Sequence, residues 1–143
     1  MRYQYTVEID RPIAEVSAKF QDLSSLHKWQ EGLKSFKHLS GQPGQAGAKM
    51  QLVYEMGKRR IEMVETIIAN ELPERFDAVY DAKGVHNVNY NRLTSIAPDK
   101  TRWTLETDFQ FGGFMKIIGL LFGGSFKKQS LKMMTDFKRF AES

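Results

Sequence analysis

The hydrophobic pattern changes period twice along this chain. From Tyr3 to Ile9 polar and apolar residues alternate, which predicts a half-buried strand. In the stretch DRPIAEVSAKFQD the spacing becomes helical: Ile13, Val16 and Phe20 fall on one face, Asp10 is placed to cap, and Pro12 suits a first turn. A second short helix is expected from Leu23 to about Trp29, with Ser24 or Ser25 as its cap. From Leu33 to Phe111 strands and turns follow one another. Helical spacing returns only after Gly112-Gly113 and runs to about Ala141. With no repeat or linker, residues 1–143 read as one α+β domain: strand, two small helices, six strands, long helix.

The turns set an expected register. YEMGKRRI predicts a two-residue Gly57-Lys58 turn, with Met56 opposite Arg59, Tyr54 opposite Ile61, Leu52 opposite Met63 and Met50 opposite Glu65. YDAKGVH is expected to form a three-residue loop with Gly84 left-handed, so that Tyr80 faces His86 and Ala78 faces Val88. Four-residue loops at Ala97–Lys100 and Asn70–Pro73 would set Arg92 opposite Leu105, Tyr90 opposite Thr107, Val88 opposite Phe109 and Glu65 beside Ala78. Opposed residues share a face. Leu52, Tyr54, Met63, Phe76, Tyr80, Val88, Tyr90, Trp103, Leu105 and Phe109 then fall on one side, and Asn87, Asn89, Asn91, Arg102 and Glu106 on the other. A one-residue slip in any turn would reverse a strand.

The most apolar stretch, FMKIIGLLFGGSF at Phe114–Phe126, is too short for a membrane span of about 20 residues and is interrupted by Lys116. In the second half of the long helix Phe126, Met133, Phe137 and Phe140 share a face opposite Lys128, Lys132, Asp136 and Arg139. Continued backwards, that face reaches Gly119 and Gly123. Glycine inside a helix costs about 1 kcal/mol relative to alanine. Close packing, a helix break at Gly123-Gly124, or a space left over the apolar sheet face would each account for the pair. The third reading predicts a cavity lined by Trp29, Tyr54, Met63, Tyr80, Tyr90, Trp103, Phe109, Phe122 and Phe126, with Gly119 and Gly123 on its helix wall. Ile117, Leu120 and Leu121 point outward from the same turns, which suits a mouth touching a membrane, a second subunit or a lid loop.

The proline-led helix RPIAEVSAKFQDLSSLHKW, with Pro12, Val16, Asp22 and Trp29 in order, then six antiparallel strands and a long closing helix, resembles the SRPBCC or START-like helix-grip superfamily over the whole chain. The resemblance implies a strongly curved antiparallel sheet of about seven strands wrapped around the C-terminal helix and enclosing an apolar cavity. It also implies a range of activities from lipid carriers to polyketide cyclases, and chaperone cofactors besides.

Composition narrows the chemistry. The net charge is +4, but basic residues are dispersed apart from GKRR at Gly57–Arg60 and a C-terminal group, which argues for a solvated surface rather than a nucleic-acid partner. Without cysteine there is neither disulfide nor thiolate site, and His27, His38 and His86 have no paired spacing, so no metal or cofactor is expected. The first residues read as a strand rather than a signal peptide, and the cytoplasm is the expected compartment. On the expected inner face Glu65, His86, Arg92 and the tyrosines Tyr54, Tyr80 and Tyr90 are the groups able to anchor a ligand. Glu65, flanked by Met63 and Ile67 with no basic partner, is expected to titrate above the usual carboxylate range. Binding of a lipid or aromatic metabolite is the leading expectation. A cyclase or dehydratase using Glu65 or His86 as acid or base is the alternative. A membrane contact and a homodimer are the further partners.

Overall fold

The computed structural model describes all residues from Met1 to Ser143. The chain runs β1 (Arg2–Ile9), α1 (Ile13–Phe20), a 3-10 turn at Leu23–Lys28, β2 (Leu33–Ser40), β3 (Lys49–Met56), β4 (Arg59–Glu71), β5 (Arg75–Ala82), β6 (Val85–Ala97), β7 (Lys100–Phe111) and α2 (Met115–Glu142). The seven strands form one antiparallel sheet in the order β1-β7-β6-β5-β4-β3-β2, so the first strand closes beside the last. This is the expected helix-grip arrangement.

The start signals act at slightly different residues from those expected. Pro12 occupies the N-cap position of α1 and no side chain caps that helix. Asp10 instead donates its amide to Glu142 and receives Lys100. Asp22, not a serine, caps the 3-10 turn by accepting from the Ser24 amide at 3.0 Å.

One core forms where α2 crosses the sheet. Phe137, Met134 and Ala141 of α2 are buried against Trp103 and Leu105 of β7, Leu93 of β6, Ile9 of β1, Val16 of α1 and Trp29. The aromatic rings meet edge to face: Trp29 to Phe137 at 4.8 Å, Trp103 to Phe137 at 5.3 Å and Phe20 to Trp103 at 5.4 Å between centroids. The opposite half of α2 lies on β1 and β7 through Phe126, whose ring meets Phe109 at 5.2 Å and Phe111 at 5.3 Å. The Tyr3 hydroxyl holds the same region, 2.7 Å from Ser130 Oγ and donating to the Phe126 carbonyl at 3.0 Å.

The β3–β4 register matches expectation pair by pair, from Met56 opposite Arg59 to Met50 opposite Glu65. The other three registers differ. The β4–β5 turn places Glu71 opposite Arg75, and an irregularity between Ile67 and Ala69 then sets Ile67 opposite Ala78 and Glu65 opposite Tyr80, not Ala78. Without that extra residue Glu65 would oppose Asp81; the bulge returns the strand to the inward row.

The larger correction concerns β6. The β5–β6 connection is a two-residue Lys83-Gly84 turn, with Gly84 left-handed (φ 74°) as expected, so Tyr80 opposes Asn87 and His86 opposes Asp81. The β6–β7 turn is also two residues, Pro98-Asp99, which by itself would keep the expected pairing; an extra residue at Ile96, between Ser95 and Ala97, shifts it so that Asn91 opposes Leu105 and Asn87 opposes Phe109. Both slips are by one residue and reverse the strand. Asn87, Asn89, Asn91 and Leu93 face inward, while His86, Val88, Tyr90 and Arg92 face outward.

Hydrogen bonding explains the reversal. The buried Trp103 indole needs an acceptor and donates to Asn91 Oδ1 at 2.9 Å, while Asn91 Nδ2 donates to the Phe76 carbonyl. Outside, the Arg2 guanidinium lies 5.8 Å from the Tyr90 ring. Arg92 reaches Asp77 Oδ1 at 2.6 Å and Arg75 reaches Oδ2 at 2.7 Å, covering an Asp77 side chain only 1% exposed. Apolar and cationic side chains thus complete an outer layer, and the inner face receives the carboxamides.

Candidate functional site

The concave face carries one continuous cross-strand row: Met50 of β3, Glu65 of β4, Tyr80 of β5, Asn87 of β6 and Phe109 of β7. Neighbouring strands are about 4.8 Å apart, so a carboxyl, a phenol and a carboxamide stand side by side. The Tyr80 hydroxyl donates to Glu65 Oε2 at 2.8 Å. The next row adds Asn89 and Thr107: Thr107 donates to Asn89 Oδ1 at 2.6 Å and accepts from Asn87 Nδ2 at 2.7 Å. Tyr54 stands one row beyond Met63, its hydroxyl 3.3 Å from Gln30 Oε1.

Three polar atoms here have no partner within the protein: Glu65 Oε1, Asn87 Oδ1 and Asn89 Nδ2. All three keep accessible surface, since the only wholly buried side-chain polar atom without a partner is Trp29 Nε1. Glu65, Tyr80, Tyr54, Met63, Phe109 and Phe126 are all partly buried. Burial pushes the Glu65 carboxyl above the usual carboxylate range, and the Tyr80 hydrogen bond only partly offsets it. Burial also raises Tyr54 and Tyr80, with the neighbouring Glu65 charge adding to each. Apart from Arg59, exposed beside the hairpin turn, no Lys, Arg or His stands at an inward position of β3–β7.

The expected site residues separate into three groups. Tyr54, Met63, Glu65, Tyr80, Phe109 and Phe126 come together on the concave face. Trp29 and Trp103, 5% and 1% exposed, belong to the packed core instead. His86 and Tyr90 lie on the outer face because β6 is reversed; His86 Nδ1 pairs with Asp81 at 2.6 Å. Arg92 is on that face too, bound to Asp77.

The glycines act differently from the space-leaving expectation. A Cβ on Gly119 would sit 2.5 Å from the Phe111 ring, so that gap is filled by an aromatic side chain of the sheet. A Cβ on Gly123 would meet Met1 Sδ at 3.0 Å, and one on Gly124 would meet open space. α2 is one element with a kink at Phe122 (φ −119°, ψ 21°), immediately before the glycine pair, and Phe122 is 52% exposed rather than a wall. Towards the sheet's far side α2 reaches β3 through Gln129 Nε2 and Met56 Sδ, 3.0 Å apart. A groove of about 340 Å³ opens there between Glu31, Glu55, Met56, Gly57 and Gln129. Its lining is polar, and it is a surface feature beside the concave face rather than an apolar chamber.

Asn87, Asn89 and Thr107 are the site residues that sequence reasoning missed. One signal pointed to them: Thr107 lies between Leu105 and Phe109 on the inward parity of β7 and, once buried, needs partners from the neighbouring strand.

Residues 1–138 match the family described as polyketide cyclase/dehydrase and lipid transport. The chain belongs to that family. No curated protein matches it. Solved structures share the family's fold at low identity. A conserved protein from Geobacillus kaustophilus aligns over 99% of this chain and 95% of its own, with 19% identity and a TM-score of 0.83. The Zhui aromatase/cyclase from Streptomyces sp. R1128 aligns over 99% and 93%, with 13% identity and a TM-score of 0.82. A START superfamily protein from Mycobacterium smegmatis aligns over 97% and 98%, with 10% identity and a TM-score of 0.74. For this polyketide cyclase/dehydrase and lipid transport family member, family and fold together point to small-molecule binding or cyclase-like chemistry. No helix is long and apolar enough to cross a membrane.

Proposed function

We propose that this protein binds a neutral, largely apolar small molecule, a lipid or an aromatic metabolite, over the concave face, with Glu65 as its polar anchor. The observation that carries this reading is the row Glu65–Tyr80–Asn87, whose partner-free Oε1 and Oδ1 atoms stand between the apolar side chains of Met63, Phe109 and Phe126. Burial favours the protonated form of Glu65, which in that form donates to a ligand carbonyl, and Asn89 Nδ2 adds a second donor. A carboxylate ligand would find no Lys, Arg or His beside Glu65 on β3–β7, Arg59 lying at the exposed hairpin end, and would meet Glu65 itself, so the preferred ligand carries ketone, ester, amide or hydroxyl groups.

The test uses 6-propionyl-2-dimethylaminonaphthalene, a neutral ketone dye, against the 6-dimethylamino-2-naphthoate anion. The wild type is expected to bind the ketone, with blue-shifted emission, and to bind the naphthoate at least tenfold more weakly. Glu65→Ala is expected to weaken ketone binding about 2- to 10-fold, the range for one lost hydrogen bond. A wild type that leaves the ketone's emission unchanged rules the reading out.

A second reading is catalytic and rests on the same contact. A carboxyl held above its usual range and hydrogen-bonded to a phenol suits general acid or base work near neutral pH on a polyketide-like substrate. The likeness to an aromatase/cyclase fold supports it. Turnover of a poly-β-ketone substrate separates the two readings: a carrier binds the dye without cyclising the substrate, whereas an enzyme cyclises it and loses that activity, but not dye binding, in Glu65→Gln.

A further inference from the structure

The two ends of the sheet differ in charge, and the more basic end carries bare hydrophobic surface. Antiparallel order brings the β3–β4 turn, the β5–β6 turn and the β7–α2 corner to one end. The Gly112 amide donates to the Gly84 carbonyl at 2.9 Å, which ties two of these connections together. Their charged residues are Lys58, Lys83 and, in the first turn of α2, Lys116, against Glu31 in the connection that enters β2 at the same end. At the other end the connections carry Asp10, Glu74 and Asp99 against Arg11 alone. Between Asp108 and Asp136 the chain has four lysines and no acidic residue.

Along that acid-free stretch α2 is apolar on both sides. Its inward side meets Phe111 at Gly119. Its outward side presents Phe114, Ile117, Leu120 and Leu121, spaced to form one helical face and 73%, 53%, 86% and 67% exposed. A helix that is apolar all round belongs in a protein interior or against a lipid phase, and nothing in the chain covers this one. Two copies facing each other across these helices would bring their lysines together. An anionic bilayer instead offers acyl chains to the four apolar side chains and negative headgroups to the lysines around them.

We propose that the first half of α2 is a docking face for anionic membrane surfaces. Phe114, Ile117, Leu120 and Leu121 enter the boundary between headgroups and acyl chains, while Lys58, Lys83, Lys116 and Lys127 contact the headgroups. The helix lies in the interface and does not cross it. Docking turns the end of the concave face marked by Phe109, Phe111 and Phe126 towards the bilayer. The proposal stands independently of any ligand.

Sedimentation of the full chain with sucrose-loaded vesicles tests it. Binding to phosphatidylglycerol-rich vesicles is expected to exceed binding to pure phosphatidylcholine by at least about tenfold and to weaken as salt is raised. The double variant Leu120→Ser/Leu121→Ser, whose side chains are exposed and leave the core intact, is expected to lose about tenfold or more with unchanged circular dichroism. Lys116→Glu is expected to lose several-fold, and the control Lys100→Glu, at the other end, almost nothing. No sedimentation with anionic vesicles overturns the proposal, as does equal sedimentation of wild type and the Leu120/Leu121 variant. A dimer in solution that the same double variant splits assigns the face to a second copy instead, and stable capture of an acidic protein by wild type without vesicle binding assigns it to a protein partner.

Discussion

The two halves of α2 run over the same concave sheet and make opposite uses of it. The C-terminal half brings Phe137, Met134 and Ala141 into full contact with Trp103, Leu105 and Ile9, and the polar atoms around them are largely paired, as Asn91 is with the Trp103 indole. The N-terminal half brings glycine and a kink, leaves five large apolar residues from Phe114 to Phe122 bare, and runs towards a sheet region where Glu65, Asn87 and Asn89 keep unpaired atoms. Where side chains of helix and sheet complement each other, the concave face becomes a core. Where they do not, it keeps accessible polar groups that a ligand can use. The packed half of the helix therefore carries stability, and the open half borders the proposed binding face.

Substitutions at the two ends should differ accordingly. The largest effect is expected from Phe137→Ala in the packed half, about 4 kcal/mol of unfolding free energy by urea titration, because the ring is fully buried among Trp29, Trp103 and Phe20. The same measurement on Phe126→Ala should show a smaller loss, since Phe126 keeps accessible surface; an equal loss would mean the N-terminal half is as tightly packed as the other.

Next comes Asn91→Ala, expected to cost about 2 kcal/mol by leaving the buried Trp103 indole without its acceptor. A shift in the near-ultraviolet circular dichroism of the Trp103 environment should accompany it. Asn89→Ala, which takes the acceptor from the buried Thr107 hydroxyl, should cost less, about 1 kcal/mol, and should also alter ketone-dye binding.

The glycines give a third pair of opposite sign. Gly124→Ala is expected to stabilise by somewhat less than 1 kcal/mol, because its Cβ enters open space and alanine favours helix. Gly119→Ala should destabilise, since its Cβ would have to displace the Phe111 ring. Thermal unfolding of the two variants reads the signs directly, and two stabilised variants would show that Phe111 yields without cost.

The smallest effect is a pH slope. The folded protein holds the Glu65 proton more tightly than the unfolded chain does, because burial raises its pKa. The associated stability is present in full below the ordinary carboxyl range and is lost as pH rises through the raised value. Glu65→Gln should remove this part of the slope while preserving the Tyr80 contact. A wild type and a variant with parallel pH profiles would show the carboxyl to be as well solvated as any on the surface.

Much of the architecture was legible in periodicity and turn chemistry. Gly57 set the β3–β4 register to the residue, and the change from strand alternation to helical spacing after Gly112-Gly113 marked the start of α2. Residues that the alternation placed inward on β3, β4 and β5 face inward: Tyr54, Met63, Glu65 and Tyr80 share one wall. The neighbours of Glu65 were less legible, because the shorter β4–β5 turn and a bulge at the exposed Ile68 together moved its partner from Ala78 to Tyr80.

On β6 the alternation itself misled. Val88 and Tyr90 look like core and the three asparagines like surface, yet the strand lies the other way because burial is decided between strands, not within one. A carboxamide facing Trp103 or Thr107 satisfies their polar atoms, whereas a valine there would leave them unpaired. Residue order alone determined the element sequence, the apolar face of α2 and an inward carboxyl at Glu65. Only the tertiary structure decided which groups that carboxyl meets, that Phe111 fills the space beside Gly119, and that His86 and Tyr90 face away from the site, since each depends on hydrogen bonds and contacts between strands distant in sequence.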